Sequence, residues 1–220
     1  MTTIYKEEKR CALCGKSSKY PKTCSTNTFG SPDLDTRPPE MKRSTIMMWI
    51  QRCPSCGYCA PNISEWLEKS SEIVRSASYQ YQLNNPEFPE LANAFLCFSL
   101  IQESAGEYAT AGWACIHAAW ACDDAGFNAN AQKCRKRAVM LLQKAKEKGQ
   151  SFAEQAGAEE AIMVDLMRRS SQFELALKLC DDVLKKTKSI IADILQFQRI
   201  LISKKDVTCH TIAEAMGQNE

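Results

Sequence analysis

The chain has 220 residues, 45% of them apolar and 25% charged, with a net charge of +2; these proportions fit a folded globular protein and exclude a disordered one. The longest apolar stretch, Ala109–Ala121, is interrupted by Thr, Gly and His, well short of the ~20 apolar residues that cross a bilayer. Charge divides unevenly: residues 1–62 carry ten Lys/Arg against five Asp/Glu, and the remainder is net acidic.

Met1–Arg10 has no apolar core and no cleavage-like site, so it does not read as a signal peptide and a cytoplasmic location is expected. Twelve cysteines without a leader, and with a long helical half, read as reduced thiols plus a metal site rather than a secreted disulfide scaffold. The first motif is Cys11-Ala-Leu-Cys14-Gly. Lys16–Met41, rich in Ser, Thr, Pro, Asp and Lys, reads as loops and turns. Within it, Pro32-Asp-Leu-Asp-Thr-Arg-Pro-Pro39 offers Asp33, Asp35 and Arg37, with Glu40 close behind. On a stiff proline loop these can form a docking site or polar pocket; alternatively, Asp35 and Arg37 pair with neighbours and pin the insertion onto the ribbon. No nucleophile–base pair is visible there.

Ser44–Arg52 alternates Ile46, Met48 and Ile50 with Met47 and Trp49, and is expected to be a strand mostly buried on both faces. It leads into Cys53-Pro-Ser-Cys56-Gly. Two cysteines three apart on a tight turn can face one cation, and the following Gly permits the positive φ of such a turn. Four thiolates satisfy tetrahedral zinc, so Cys11, Cys14, Cys53 and Cys56 are the candidate ligands of one structural Zn2+ per chain. The interval from Cys14 to Cys53 exceeds the usual ~15–20 residues, so it holds an insertion. Cys59 makes a further Cys-x-x-Cys with Cys56; it can replace a ligand, act as a redox thiol, or simply be buried.

After Pro61 the period becomes helical. Asn62 or Ser64 can cap a helix that presents Trp66, Ile73, Ala77 and Tyr81 on one face, ended by the break at 83–89. Further helices are expected near 90–104, 107–124, 129–148, 158–170, 172–187 and 189–203, with Gly126 and Gly149 as C-terminal caps. Two turns share a tetratricopeptide-like spacing: Gly106, Tyr108, Ala111, and then Ser171, Phe173, Ala176. Their aromatics lie 65 residues apart, against about 68 for two ideal repeats. Trp113, His117 and Trp120 fall on related turns of one helix and can line a peptide groove or sit in the core. Helix 129–148 points Cys134, Ala138, Leu141, Leu142 and Ala145 one way, flanked by Lys133, Arg137, Lys144 and Lys148 on one side and Arg135 and Lys146 on the other. That face reads as solvated or as a nucleic-acid surface.

The two Cys-x-x-Cys-Gly motifs, the Pro-Asp-Leu-Asp-Thr-Arg-Pro-Pro insertion, Trp49-Ile-Gln-Arg-Cys-Pro-Ser-Cys-Gly-Tyr58 and Ala118-Ala-Trp-Ala-Cys-Asp-Asp-Ala-Gly126 together resemble the prokaryotic domain-of-unknown-function family 2225 over most of residues 9–205. The resemblance implies a zinc-ribbon-like start, a tetratricopeptide-like helical region, the same four cysteines as ligands, and no known reaction. The expected fold is mainly α, a tetratricopeptide-like bundle preceded by a small zinc-ribbon-like β module: residues 1–62 the module, 63–205 the helices and 206–220 a tail. With only His117 and His210 and no catalytic constellation, the leading expectation is a non-enzymatic adaptor that presents a helical surface to a protein or peptide. The alternatives are nucleic-acid binding through the basic zinc module, and a thiol redox protein using Cys56 and Cys59.

Overall fold

The computed structural model describes residues 2–217. Each Cys-x-x-Cys pair forms the turn of an antiparallel hairpin. Thr3–Arg10 (β1) pairs with Ser17–Ser25 (β2), Arg10 standing opposite Ser17 and Ile4 opposite Thr23. Gln51–Arg52 (β3) pairs with Cys59–Ala60 (β4). The loop expectation fails at β2, and β1 carried no signal. Most of their residues are exposed, so no hydrophobic alternation marks them. Pro21 is tolerated because every strand of a two-stranded ribbon is an edge strand.

The strand expected over Ser44–Arg52 is largely a 3-10 helix, Arg43–Met48, with only Gln51–Arg52 extended. Local bonds decide it. Thr45 Oγ1 donates to the Lys42 carbonyl at 2.7 Å, Trp49 Nε1 donates to Thr45 Oγ1 at 2.9 Å, and the Trp49 amide reaches the Ile46 carbonyl. Ile46 and Ile50 are buried while Met47 is 61% exposed, so the segment does not bury both faces.

The segment after Pro61 also differs. Instead of one helix there are two short ones, Ser70–Ile73 (α1) and Ala77–Leu83 (α2). The Ser76 side chain accepts from the Tyr79 amide and starts α2 afresh. That resets the helical phase, so Tyr79 and Leu83 are buried and Trp66 and Tyr81 are exposed.

The remaining helices lie where periodicity placed them: Glu90–Ala105 (α3), Tyr108–Asp124 (α4), Asn128–Glu147 (α5), Ala158–Arg169 (α6), Phe173–Leu184 (α7) and Ile190–Ser203 (α8). Each packs on the next, and α6 also meets α8. Five of them end alike, with the amide of the residue after a left-handed one bonding the carbonyl five positions back: Glu107 to Gln102, Phe127 to Cys122, Gln150 to Ala145, Gln172 to Met167, and Asp206 to Leu201. The left-handed residue is Gly at three ends but Ser171 and Lys205 at the others. The turns at Gly106 and Ser171 are thus locally alike, and Ala111 and Ala176 are both fully buried beside them.

Gly112 marks the closest approach of α4 to α5; a Cβ there would stand 2.6 Å from Leu142 Cδ2. A last short helix, Ile212–Ala215 (α9), is started by a capping box of Thr211 and Glu214. The structure is therefore mainly α with a small β module. One apolar cluster runs unbroken from Cys11 and Tyr58 through α3–α8 to Ile202. Among the described residues no helix is long and apolar enough to cross a membrane.

Candidate metal centre

The two knuckles fold by the same bonds. Gly15 N–H donates to the Cys11 carbonyl and Cys11 N–H to Lys16; Gly57 N–H donates to Cys53 and Cys53 N–H to Tyr58. Both glycines sit at positive φ, +72° and +75°, where a Cβ is strained. The Ala12 amide bonds the Ile63 carbonyl, and the Ile63 amide takes Gln51 Oε1, which docks one knuckle beside the other.

This brings Cys11, Cys14, Cys53 and Cys56 together, with all four sulfurs within 4.8 Å of one another. Cys11 Sγ lies 3.7 Å from Cys56 Sγ, and Cys14 Sγ lies 3.6 Å from Cys53 Sγ. Four sulfurs at ~2.3 Å from one tetrahedral ion stand about 3.8 Å apart, whereas a disulfide requires about 2.0 Å. The donor set therefore fits one metal ion. Amides already point at the sulfurs: those of Cys14 and Leu13 at Cys11, Lys16 at Cys14, and Tyr58 at Cys56.

The four thiols are unequal. Burial raises the pKa of Cys11 and Cys56, while the Lys16 amide lowers that of exposed Cys14 to about 7. A cation that ionises all four displaces their protons on binding. Four sulfur ligands leave no coordination position for water, so such a centre stiffens the fold rather than activating a nucleophile. A cavity of about 370 Å³ opens beside Cys14 and Cys56, walled on its far side by Ser71, Val74, Arg75 and Gln80.

Cys59 lies outside this cluster. It is fully buried, its thiol donates to the Gly57 carbonyl at 3.4 Å, and it neighbours Cys97 and Tyr79. It is thus a buried thiol and not a member of the four-sulfur cluster.

The insertion residues Asp33, Asp35 and Arg37 are 2%, 0% and 6% exposed, so they do not stand free for docking. Asp35 accepts from Trp120 Nε1 at 2.8 Å and from Arg169 at 3.0 Å. Arg37 pairs with Asp124 at 2.6 Å, and Asp33 with Arg43 at 2.5 Å. Asp123 binds both Arg135 and Arg169. The insertion is pinned, but onto α4 and α6 rather than onto the hairpins. The tail joins the same junction. Leu34 N–H donates to the His210 carbonyl and Ile212 N–H to Pro32, while Arg168 donates to the carbonyls of Asp206 and Thr208.

Sequence reasoning missed the partners on the helical side: Asp123, Asp124, Arg135, Arg168 and Arg169. Arg135, which the sequence pattern places on a flanking basic face, is 2% exposed. The available signal was Arg168-Arg169, two cations that directly follow the largely apolar run Ala161–Met167.

Trp113, His117 and Trp120 take the core alternative. His117 is ringed by Trp49, Phe95, Trp113 and Trp120, with centroids 5.0–6.0 Å away. Burial lowers its pKa to about 4, against a smaller upward pull from Asp35. Trp49, from the metal module, covers the stripe that would have lined a groove, and Trp113 Nε1 is spent on the Phe152 carbonyl at 3.0 Å.

No family model, no curated protein and no solved structure matches this chain.

Proposed function

We propose that this chain is a non-enzymatic zinc-binding interaction protein, in which one structural Zn2+ on Cys11, Cys14, Cys53 and Cys56 stiffens the β module and the helices present a surface to a protein or peptide. The observation that carries the reading is the four-sulfur cluster, whose 3.6–3.7 Å contacts suit a closed tetrahedral site. A metal held this way contributes folding free energy and no reaction. Of the five like helix ends, those at Gly106 and Ser171 share a partly buried aromatic, Tyr108 or Phe173, and a buried Ala111 or Ala176 at equal offsets, which supports a tetratricopeptide-like reading of the helices. Affinity capture with the intact, metal-loaded chain tests the function. A partner recovered in stoichiometric amount, and lost on competition with untagged chain, is expected. Turnover of a small molecule with no partner recovered would overturn the proposal.

A second reading has its own observation. The β1–β2 hairpin, residues 3–25, carries six Lys/Arg against two Glu and is exposed along most of its length. A basic two-stranded ribbon suits a nucleic-acid groove, with affinity that falls steeply as salt rises. Because the module shares its core with the helices, the test uses the intact chain with Lys6, Lys16 and Lys19 changed to Glu. Binding that is absent, or indifferent to salt and to these changes, removes this reading.

A further inference from the structure

Helix α5 is two-faced. Its inward stripe of Cys134, Ala138, Leu142 and Ala145 is buried to 2% exposure or less. Its outward face presents Met140 at 68% exposure. On a helix the neighbours of Met140 are the residues three and four positions away. These are Lys136, Arg137, Gln143 and Lys144, so three of the four are cations. Beside them runs a groove of about 520 Å³, lined by Glu103, Arg137, Met140, Leu141 and Lys144. Arg137 neutralises Glu103 at 2.9 Å, and the Lys144 ammonium is held 4.3 Å over the Tyr108 ring.

We infer that this groove docks an acidic peptide segment carrying an apolar anchor side chain. The anchor lies against Met140 and Leu141, and the carboxylates meet Lys136, Arg137 and Lys144. The inference rests on the reading of the chain as an interaction protein and names its surface and the chemistry of its partner. Charge complementarity favours the occupant: of the cations around Met140, Arg137 is already paired with Glu103, whereas Lys136 and Lys144 meet no acidic partner among the described residues. Exposed charge pairs each add little affinity, so charge alone selects no partner. The flexible thioether supplies the apolar centre, adaptable to more than one anchor shape. A nucleic-acid strand fits worse: it asks for an unbroken cationic track and faces on which bases stack. Here Met140 and Gln143 interrupt the cations, and the carboxylate of Glu103 lines the groove.

The test is a displayed library of random dodecapeptides selected on the intact chain, followed by fluorescence anisotropy of one enriched, synthesised peptide. The enriched pool is expected to hold Asp and Glu around a large aliphatic or aromatic residue. Affinity should fall with added salt, and by about tenfold or more in the double variant Lys136→Glu/Lys144→Glu. Met140→Ala should weaken the same peptide, and far-UV circular dichroism should show both variants folded, since the altered side chains are exposed. Peptides without acidic excess, or bound equally by both variants, would overturn the groove while leaving the interaction-protein reading standing. A library that yields no peptide, from chain that retains labelled single-stranded RNA in a manner lost in the double variant, would replace the peptide with nucleic acid. A library that yields nothing, with no RNA retained, would sink the groove, while affinity capture with the intact chain decides the interaction-protein reading separately.

Discussion

Asp35 is fully buried and binds Trp120 and Arg169, with Asp123 sharing the same arginine. The Arg169 and Arg135 guanidiniums hold its carboxyl below the ordinary range even though burial pushes the other way. Removing one member of a buried ion pair strands the other charge. Asp35→Ala should therefore cost about 3–5 kcal/mol in urea unfolding, and a loss under 1 kcal/mol would show that the junction is not a structural element. His117 makes a pH prediction. Its folded pKa, about 4, lies below the ordinary 6.5. As pH falls through that window the unfolded chain takes up a proton that the folded chain refuses, so stability declines, by at most about 3 kcal/mol and by less for a partly exposed ring. His117→Phe should flatten the fall in urea midpoint between pH 6.5 and 4.5. An unchanged slope would mean that imidazole ionisation is not what the fold resists.

Helices were legible by their length and their ends, five of which carry the same cap; α5, α7 and α8 also bury one side, whereas α3, α4 and α6 are buried nearly all round. The strands β1 and β2 bury only Tyr20, so nothing in their composition distinguishes strand from loop. Ser44–Arg52 misled for the opposite reason: its alternation of large residues suits a strand, but the hydroxyl of Thr45 closes a local turn that alternation cannot reveal. Likewise the second face of α5 was readable as basic, while which of its cations turns inward was not, because Asp123 lies on another helix. The contact between α4 and α5 yields a test at this scale. Gly112→Val drives two methyl groups toward buried Leu142, and overpacking of this kind costs about 1–3 kcal/mol. A variant as stable as the parent in urea would show that the two helices do not approach so closely.

Across the whole molecule, metal module, helices and tail are joined by one apolar cluster and by the ionic junction at Asp33, Asp35 and Arg37. The cysteine spacing made the four-sulfur cluster readable from the sequence, because each pair is brought together within one short turn. The junction was not, since its partners lie up to 134 positions apart. Such coupling means that loss of the metal should be felt beyond the hairpins: Cys11 and Cys53 are themselves members of the apolar cluster that reaches α8. The most direct measurement is zinc per chain by elemental analysis, on the natural sequence and on Cys53→Ser, with circular dichroism on the same samples. One zinc per chain in the first, and a metal-poor, less stable protein in the second, is the predicted result. A natural chain that is fully folded and free of metal would contradict the account.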